Sequence, residues 1–575
     1  MPQIQSLQSA TCLHDVAAIL KFTASGLAYV LYGKPLHTKY NSFEIRKRGG
    51  GSRQINAPTR DLMLLQRRLS DLLQDCIEEI NRAQNRKDQL AHGFKRDRSI
   101  ITNATKHRKR RYVFNIDLQD FFGTINFGRV RGFFIKDRNF ALHPNVATVL
   151  AQIACYQNSL PQGSPCSPVI SNLIGHVLDI HLGRLAFDTG CSYSRYADDI
   201  TFSTNKRKFP PDIAKQIEGQ SHKWEVGDKL QQIVNHVGFT INPQKTRMQY
   251  RTSRQDVTGL VVNSKANIRS EYRRTVRAMA QHLFLTGHFE LIETIPVPDA
   301  SGVLAPTRKK GKLAQLHGMF GHIDRVDRHN AGLRSLAEGR NEAQEKLYRR
   351  FLMFKDFYVA QEPVIVCEGK TDNIYIRYAI RRLAAQFPSL ATVTPNKPTK
   401  LNVRVPRYPQ TSTGRVLKLN GGTGDFPKFI HDYVKELRRF TALGKNNPVI
   451  LLVDNDSGAK ATYSAIQQVN GKRPAGTEAF VRIAENLYLV PTPLKVGQKE
   501  SVIEDAFTQQ TRNTVIGGKT LSLSNDLDPG KHYGKHVFSK FVEQNAGNID
   551  FAGFTEILTR LAAVIAAHKA VAQNP

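Results

Sequence analysis

The residues best suited to chemistry in this chain are carboxylates set at the ends of apolar runs. Asp117 closes the run Val113–Ile116, and Asp198 and Asp199 stand side by side within SYSRYADDITFS, 192–203. Two adjacent charges in a hydrophobic hairpin are costly unless a cation accompanies them. Magnesium takes hard oxygen ligands, usually one or two carboxylates completed by water and substrate phosphates. A pair of such ions can clamp an attacking hydroxyl and a departing phosphate, so these aspartates suit two-metal nucleotidyl transfer. A second acidic set follows. PVIVCEGKTD, 363–372, puts Glu368 just past one apolar run, and PVILLVDNDSG, 448–458, does so for Asp454, with Asp456 two residues later. By itself an Asp-Asp or Asp-x-Asp pair is more often a solvated turn, so each set depends on its surroundings.

The elements that must hold these acids are readable from pattern. Residues 111–117 and 192–203 read as strands, the second folding back around Ala197–Asp199. Residues 10–33, 61–83 and 272–290 have apolar positions at helical spacing. The stretch Arg46–Arg53 reads as a hairpin or flexible loop, and 295–311 as a loop. Near 355 the texture changes. Short apolar runs, Val364–Val366, Val416–Leu419, Val449–Val453 and Leu487–Val490, alternate with helical patterns, which marks a parallel sheet with crossover helices. On such a sheet, ligands gather at the carboxyl ends of the strands, where Glu368 and Asp454 fall. Gly369 permits the sharp exit after Glu368, and Asp372 stands where it can cap the next helix.

A chain of 575 residues exceeds a single core and implies two to four domains. Its 40% hydrophobic and 23% charged residues fit a folded protein rather than a disordered one. The formal net charge of +33 opposes compaction unless an anion binds, and points to a polyphosphate partner. No window approaches the roughly 18 to 20 apolar residues of a spanning helix, so no membrane is expected and the cytoplasm is. The six cysteines are scattered singly, which suits reduced thiols rather than a zinc knuckle or redox pair.

NIDLQDFF at 115–122, LPQGSPCSP at 160–168 with Asn172 after it, and YADD at 196–199 occur in this order. Together they resemble reverse transcriptases over roughly residues 30–330. The resemblance implies a right-hand polymerase of fingers, palm and thumb, with Asp117, Asp198 and Asp199 as catalytic ligands of two Mg2+ ions. It places Phe122 as a gate against a ribose 2′-hydroxyl, although a core phenylalanine is the plain alternative. Gln162 and Gly163 resemble the strip along the incoming nucleotide and template. Lys47 and Arg53 resemble the residues that grip the triphosphate; a solvated basic loop is the alternative. Lys245, in GFTINPQKT, matches a position that can protonate the leaving pyrophosphate.

Two shorter motifs narrow the class. Asn103–His107 fits NAxxH and Val257–Gly259 fits VTG, and both resemble bacterial retron reverse transcriptases. That family copies part of a structured noncoding RNA, from dNTPs, into a short single-stranded DNA joined to the RNA through a 2′-hydroxyl. Asn103, His107, Thr258 and Gly259 are then expected to contact RNA, with a plain surface histidine as the alternative for His107. Cationic patches at Lys106–Arg111, Arg273–Arg274 and Lys309–Lys312 suit a grip on structured RNA. An intron-associated maturase is disfavoured because no His/Cys nuclease cluster follows. A diversity-generating enzyme would normally stop near the thumb.

The strand-end Glu-Gly paired with a strand-end Asp-x-Asp resembles the Toprim domain over roughly 361–500. That likeness implies one or two further Mg2+ ions on Glu368, Asp454 and Asp456. Glu504 and Asp505, in SVIEDAF, either join this site or form the exposed face of an amphipathic helix. The whole is expected to be an α/β and α+β multidomain chain: polymerase at 1–330, helical connector at 331–360, Toprim-type parallel α/β sheet at 361–500, and a helical extension at 501–575. Its expected function is a retron reverse transcriptase fused to a metal-dependent Toprim nuclease effector in anti-phage defence. The alternatives are a non-cleaving, nucleic-acid-binding Toprim scaffold and a topoisomerase, for which nothing marks Tyr463 or Tyr533 as a nucleophile. Self-association is left open.

Overall fold

A computed structural model describes every residue except Met1, 47–50, 87–88, Ser221, 293–296, 299–303, 306–307, 333–341, Thr423, 524–527 and 574–575. The chain forms two compact units that interleave in sequence rather than meeting once near 330. The first is Met1–Arg273 with Ile292–Thr307 and Arg325–Glu338; the second is Arg274–Leu291, Arg308–Asp324 and Gly339–Pro575.

In the first unit, strands β1 (Tyr40–Arg46) and β2 (Ser52–Pro58) form an antiparallel hairpin with Arg46 opposite Ser52. Lys47 lies outside the described residues. The helix Arg60–Ala83 follows, and its leucine spacing turns Leu62, Leu65, Leu69, Leu72 and Leu73 to one buried face. The central sheet comprises β3 (Tyr112–Asp117), β4 (Ser192–Tyr196), β5 (Asp199–Thr204) and β6 (Arg247–Tyr250). Its order is β4-β5-β3-β6, with every pair antiparallel. Between β3 and β4 runs the helix Ser167–Thr189, started by Pro168 in its first turn and stopped at left-handed Gly190. Helices and sheet share one apolar core, in which Phe114, Ile116, Ile170, Leu178, Ile200 and Phe202 are buried.

In the second unit, β7 (Val364–Cys367), β8 (Val449–Val453), β9 (Val481–Ala484) and β10 (Leu487–Pro491) make a sheet ordered β7-β8-β10-β9. β7, β8 and β10 are parallel, and β9 runs antiparallel at the edge. All five residues of β8 are buried, as a central strand covered on both faces requires. Residues Ile557, Leu558, Leu561 and Val564 of the last helix share a core with Ile365, Ile450 and Tyr488.

Two expectations are corrected. Val416–Leu419 is not a strand: residues Ser412–Leu417 are helical, capped by the Thr411 hydroxyl and ended by left-handed Lys418. A short run with three apolar residues fits either state, and here the cap decides it. Residues 295–311 also hold more than a loop, since Val297–Pro298 pairs with Leu304–Ala305 and a strand covers Arg308–Lys310. All six cysteines are free. Among the described residues no single helix is long and apolar enough to cross a membrane.

Candidate active sites

The first site is built by the antiparallel register. Asp117, last in β3, stands opposite Asp199, first in β5, and Tyr196 stands opposite Asp199 from β4. The turn between is closed by Ala197 in the left-handed region, φ 57°, and by the Leu118 N–H donating to the Asp198 carbonyl at 3.0 Å. The three aspartates are thus gathered on adjacent strand ends. Burial pushes Asp199 up to about 6, with the charges of Asp198 and Asp117 adding to it. Asp198 is raised by burial first and Asp117 second, against the opposing charges of Lys245 and Arg53. Lys245 donates to both Asp117 oxygens at 2.9 Å, so a cation already sits on that carboxylate. Among the described residues, no three acidic, His or Cys side chains are drawn to metal-ligand spacing. The donor set still fits magnesium: hard oxygens, crowded and partly desolvated, whose repulsion a divalent ion would relieve.

The surrounding wall is assembled by specific contacts. The Gln162 carbonyl accepts from the Asn56 N–H of β2 at 2.7 Å, docking the hairpin that carries Arg53. Gly163 has φ 121°, and a Cβ there would lie 2.7 Å from the Asn56 carbonyl oxygen. Only glycine meets both demands. Phe121 takes the core position, 3% exposed, and leaves Phe122 half-buried, edge-on to it at 5.5 Å.

Beneath this turn lies an ion pair shut away from water. Arg195 donates to Asp179 through Nε at 2.8 Å and Nη2 at 2.7 Å, both side chains being at most 1% exposed. Its Nη1 donates to the Ala197 carbonyl at 3.0 Å, and the Tyr193 hydroxyl adds a bond to Asp179 at 2.7 Å. Nothing in the sequence singled out this pair.

Asn103 and His107, expected to touch RNA, are instead 1% and 0% exposed. Ser194 on β4 donates its one hydroxyl proton to Asn103 Oδ1 at 2.6 Å. His107 Nε2, 2.7 Å from the Ser194 Oγ, must therefore donate to it, while Nδ1 accepts from Ser203 on β5 at 2.7 Å. The imidazole is a neutral latch across both strands of the catalytic turn, and burial holds its pKa down to about 3. The second short motif meets the helix Ile100–Thr105 that carries Asn103: Thr258, half-buried, donates to the Ile100 carbonyl at 3.1 Å from a turn with φ 47° at Thr258 and 82° at exposed Gly259.

A pH dependence follows from the latch. Its folded pKa lies below the unfolded value of about 6.5, so the unfolded chain binds the extra proton between those limits. Stability is expected to fall as pH drops below about 6.5, by up to about 1.4 kcal/mol per pH unit from this group. Urea titrations of His107→Gln between pH 5 and 8 should show a flatter profile than the parent; an equal slope would dismiss the latch as its source.

Of the basic patches, Arg273 is committed to Asp327, with contacts of 2.9 and 2.6 Å. Lys106, Arg108, Lys109, Arg110 and Lys265 line an open groove of about 640 Å³.

In the second unit, β7 and β8 bring Glu368 and Asp454 together, and the Asp454 N–H donates to Glu368 Oε2 at 3.3 Å. Burial lifts Glu368 to about 7, with Asp456 and Asp372 adding to it. Asp454 rises to about 8, through burial first and then Asp372 and Glu504. Asp456 accepts from the Gly458 N–H at 2.8 Å at the head of the next helix. Asp372 does not cap from outside its helix; it is the first helical residue and accepts from the Gly369 N–H at 2.7 Å. The reading of Glu504 as a solvated face is corrected. Glu504 is 0% exposed, takes Lys535 on Oε2 at 3.0 Å and leaves Oε1 buried without a partner. Ile503, its neighbour, donates from its N–H to Asp454 at 2.8 Å, which draws the segment into the acids. Asp505 faces away, paired with Arg512 at 2.8 Å. Lys535 belongs to no motif, and only the fold brings it here.

The family described as "Reverse transcriptase (RNA-dependent DNA polymerase)" matches residues 45–262. The chain is similar to the Retron Ec86 reverse transcriptase of Escherichia coli, 31% identical across 47% of this chain and 78% of that protein. It is also similar to the Retron Mx162 reverse transcriptase of Myxococcus xanthus, 31% identical across 56% of this chain and 65% of that protein. The Retron Mx65 reverse transcriptase of the same organism is 34% identical, across 46% and 61%. Among solved structures, telomerase from Candida albicans aligns over 55% of this chain and 64% of that one, at 11% identity and a TM-score of 0.30, a likeness too loose to argue from. The residues matched by the family span β3 and the Tyr196–Asp199 turn, and the chain belongs to the bacterial retron reverse transcriptases.

Proposed function

We propose that the first unit copies part of a structured noncoding RNA into a short single-stranded DNA that stays joined to that RNA. The observation that carries this reading is the strand register placing Asp117 against the Asp198–Asp199 turn. Asp117, Asp198 and Asp199 would hold the Mg2+ pair, which when bound supplies Lewis-acid clamping of the attacking and leaving oxygens. Phe122 walls the sugar side, Arg53 and Lys47 meet the triphosphate, and Gln162 with Gly163 lies along the template and incoming nucleotide. Lys245, its ammonium on Asp117, is placed to serve the departing pyrophosphate. The turn of half-buried Thr258 and exposed Gly259 and the cationic groove meet RNA; Asn103 and His107 act through the fold. The nucleic acid that copurifies tests this: a branched RNA carrying a short DNA is expected, and unbranched RNA alone would refute it.

For the second unit we propose a Toprim-type metal-dependent nuclease acting as effector in anti-phage defence. Glu368, Asp454 and Asp456 would hold one or two Mg2+ ions, and Glu504 is added to that set. What supports this is the convergence of four acids at one sheet edge, three of them pushed up by burial. A Glu368→Ala chain should keep parental DNA synthesis and lose Mg2+-dependent nucleic-acid cleavage by about a hundredfold or more, since several kcal/mol of charge stabilisation go with the metal. Cleavage and phage protection at parental level in that variant would favour the non-cleaving scaffold.

A further inference from the structure

Phe94 stands in a backbone conformation that its side chain does not explain. Its φ is 57°, a left-handed value that a bulky residue rarely adopts and that glycine or asparagine would adopt at little cost. Burial does not compensate, because the residue is 42% exposed. Nor is the conformation a slack loop. On one side the Leu90 carbonyl accepts from Arg195 and the Arg195 carbonyl accepts from His92, at 2.9 and 2.8 Å. The Gly93 carbonyl accepts from Asn172 Nδ2 at 2.6 Å, and a Cβ at Gly93 would lie 2.6 Å from the Ala197 nitrogen. On the other side Arg96 is held by Asp75 at 2.7 Å and Glu78 at 2.9 Å. The chain is thus pinned against the catalytic turn and forced to raise a phenyl ring. Strain that surrounding contacts over-determine is found at sites of function.

The position of the ring indicates which function. Its centroid is 6.4 Å from Phe122, edge-on at 62°, and 6.3 Å from Tyr196. Phe122 itself is held edge-on by Phe121 at 5.5 Å. The Phe94 ring therefore bridges Phe122 and Tyr196, the residue that ends β4 and stands opposite Asp199. We infer that Phe94 is a specificity-determining residue of the nucleotide pocket, bracing Phe122 and closing the sugar side against a 2′-hydroxyl. This rests on the reading of Phe122 as the sugar gate. The chemistry is steric and desolvating: ring edges offer a ribose hydroxyl neither room nor a hydrogen-bond acceptor. A gate ring with an empty space behind it would tilt away, and discrimination would relax.

The test uses the full chain with a primed RNA template, measuring kcat/KM for a dNTP and for the matching rNTP, with Tm alongside. Phe94→Gly suits the left-handed backbone, so its Tm should equal or exceed the parent's. Its preference for dNTP over rNTP should fall about tenfold, within the roughly hundredfold that an apolar pocket commands against an added hydroxyl. Phe94→Tyr, which restores the ring, should recover the parental ratio within about twofold. A parental ratio in Phe94→Gly would overturn the inference. So would a drop in Tm accompanied by equal losses with both nucleotides, which would make the residue merely structural. A parent chain inert with both nucleotides would sink the polymerase reading itself, and this inference with it.

Discussion

Replacing Asp198 with Asn is expected to abolish primer extension while leaving the protein at least as stable as the parent. The two halves of that result have one cause. Asp198 is half-buried beside Asp117 and Asp199, and its carboxyl is raised by desolvation and by the charge of Asp117. Removing the charge relieves repulsion in the metal-free protein, so the denaturation midpoint should hold or rise. It also removes a hard anionic ligand, and an amide oxygen does not replace the lost attraction for Mg2+. A loss of about 4 kcal/mol of transition-state stabilisation corresponds to about a thousandfold in rate. Single-nucleotide extension and urea denaturation on the same preparation check both halves. Extension within tenfold of the parent would remove Asp198 from the metal site. A large fall in stability would mean that the carboxylate is structural instead.

The largest effect on stability is expected from Arg195→Met. The guanidinium is fully buried, doubly bonded to Asp179, and holds the carbonyl of left-handed Ala197. Cutting one partner from such a pair leaves an uncompensated buried charge, which costs about 3 to 5 kcal/mol. Tyr193, whose hydroxyl shares Asp179, would be disturbed as well. Adding Asp179→Leu should recover part of the loss, because an apolar pair buries no orphan charge. Chemical denaturation of the single and double variants decides it. A single-variant loss below about 1 kcal/mol, the range of a surface pair, would show that water reaches the site. DNA synthesis should fall in both variants, since neither keeps the Ala197 carbonyl tied.

The sequence carried the strands of the first site because their apolar runs end on the acids that matter, as Val113–Asp117 and Ile200–Thr204 do. It could not say which way a motif faces. Asn103 and His107 stand within a cationic stretch, yet the helix Ile100–Thr105 turns them inward onto Ser194. Their spacing identifies the family, whereas their burial depends on a strand some ninety residues away. Glu504 failed for a related reason. SVIEDAF fits a solvated helical face as well as an inward turn, and the contact that decides it is the Ile503 N–H on Asp454, 49 residues earlier. Lys535 and the Arg195–Asp179 pair left no local signal at all. Strand Val449–Val453 was legible through its unbroken apolar run, but Val416–Leu419, interrupted by Lys418, closes a helix under the Thr411 cap.

The His107 latch belongs to a short segment whose residues alternate between two tasks. Arg108 and Lys109 are exposed to solvent, while Lys106 donates to the Tyr193 carbonyl and Arg110 to the Ser192 hydroxyl on the strand leading to the acids. If RNA lies on the outward cations, as proposed, its pull would act within one or two residues of the bonds to Tyr193 and Ser192, on the strand that leads to the acids.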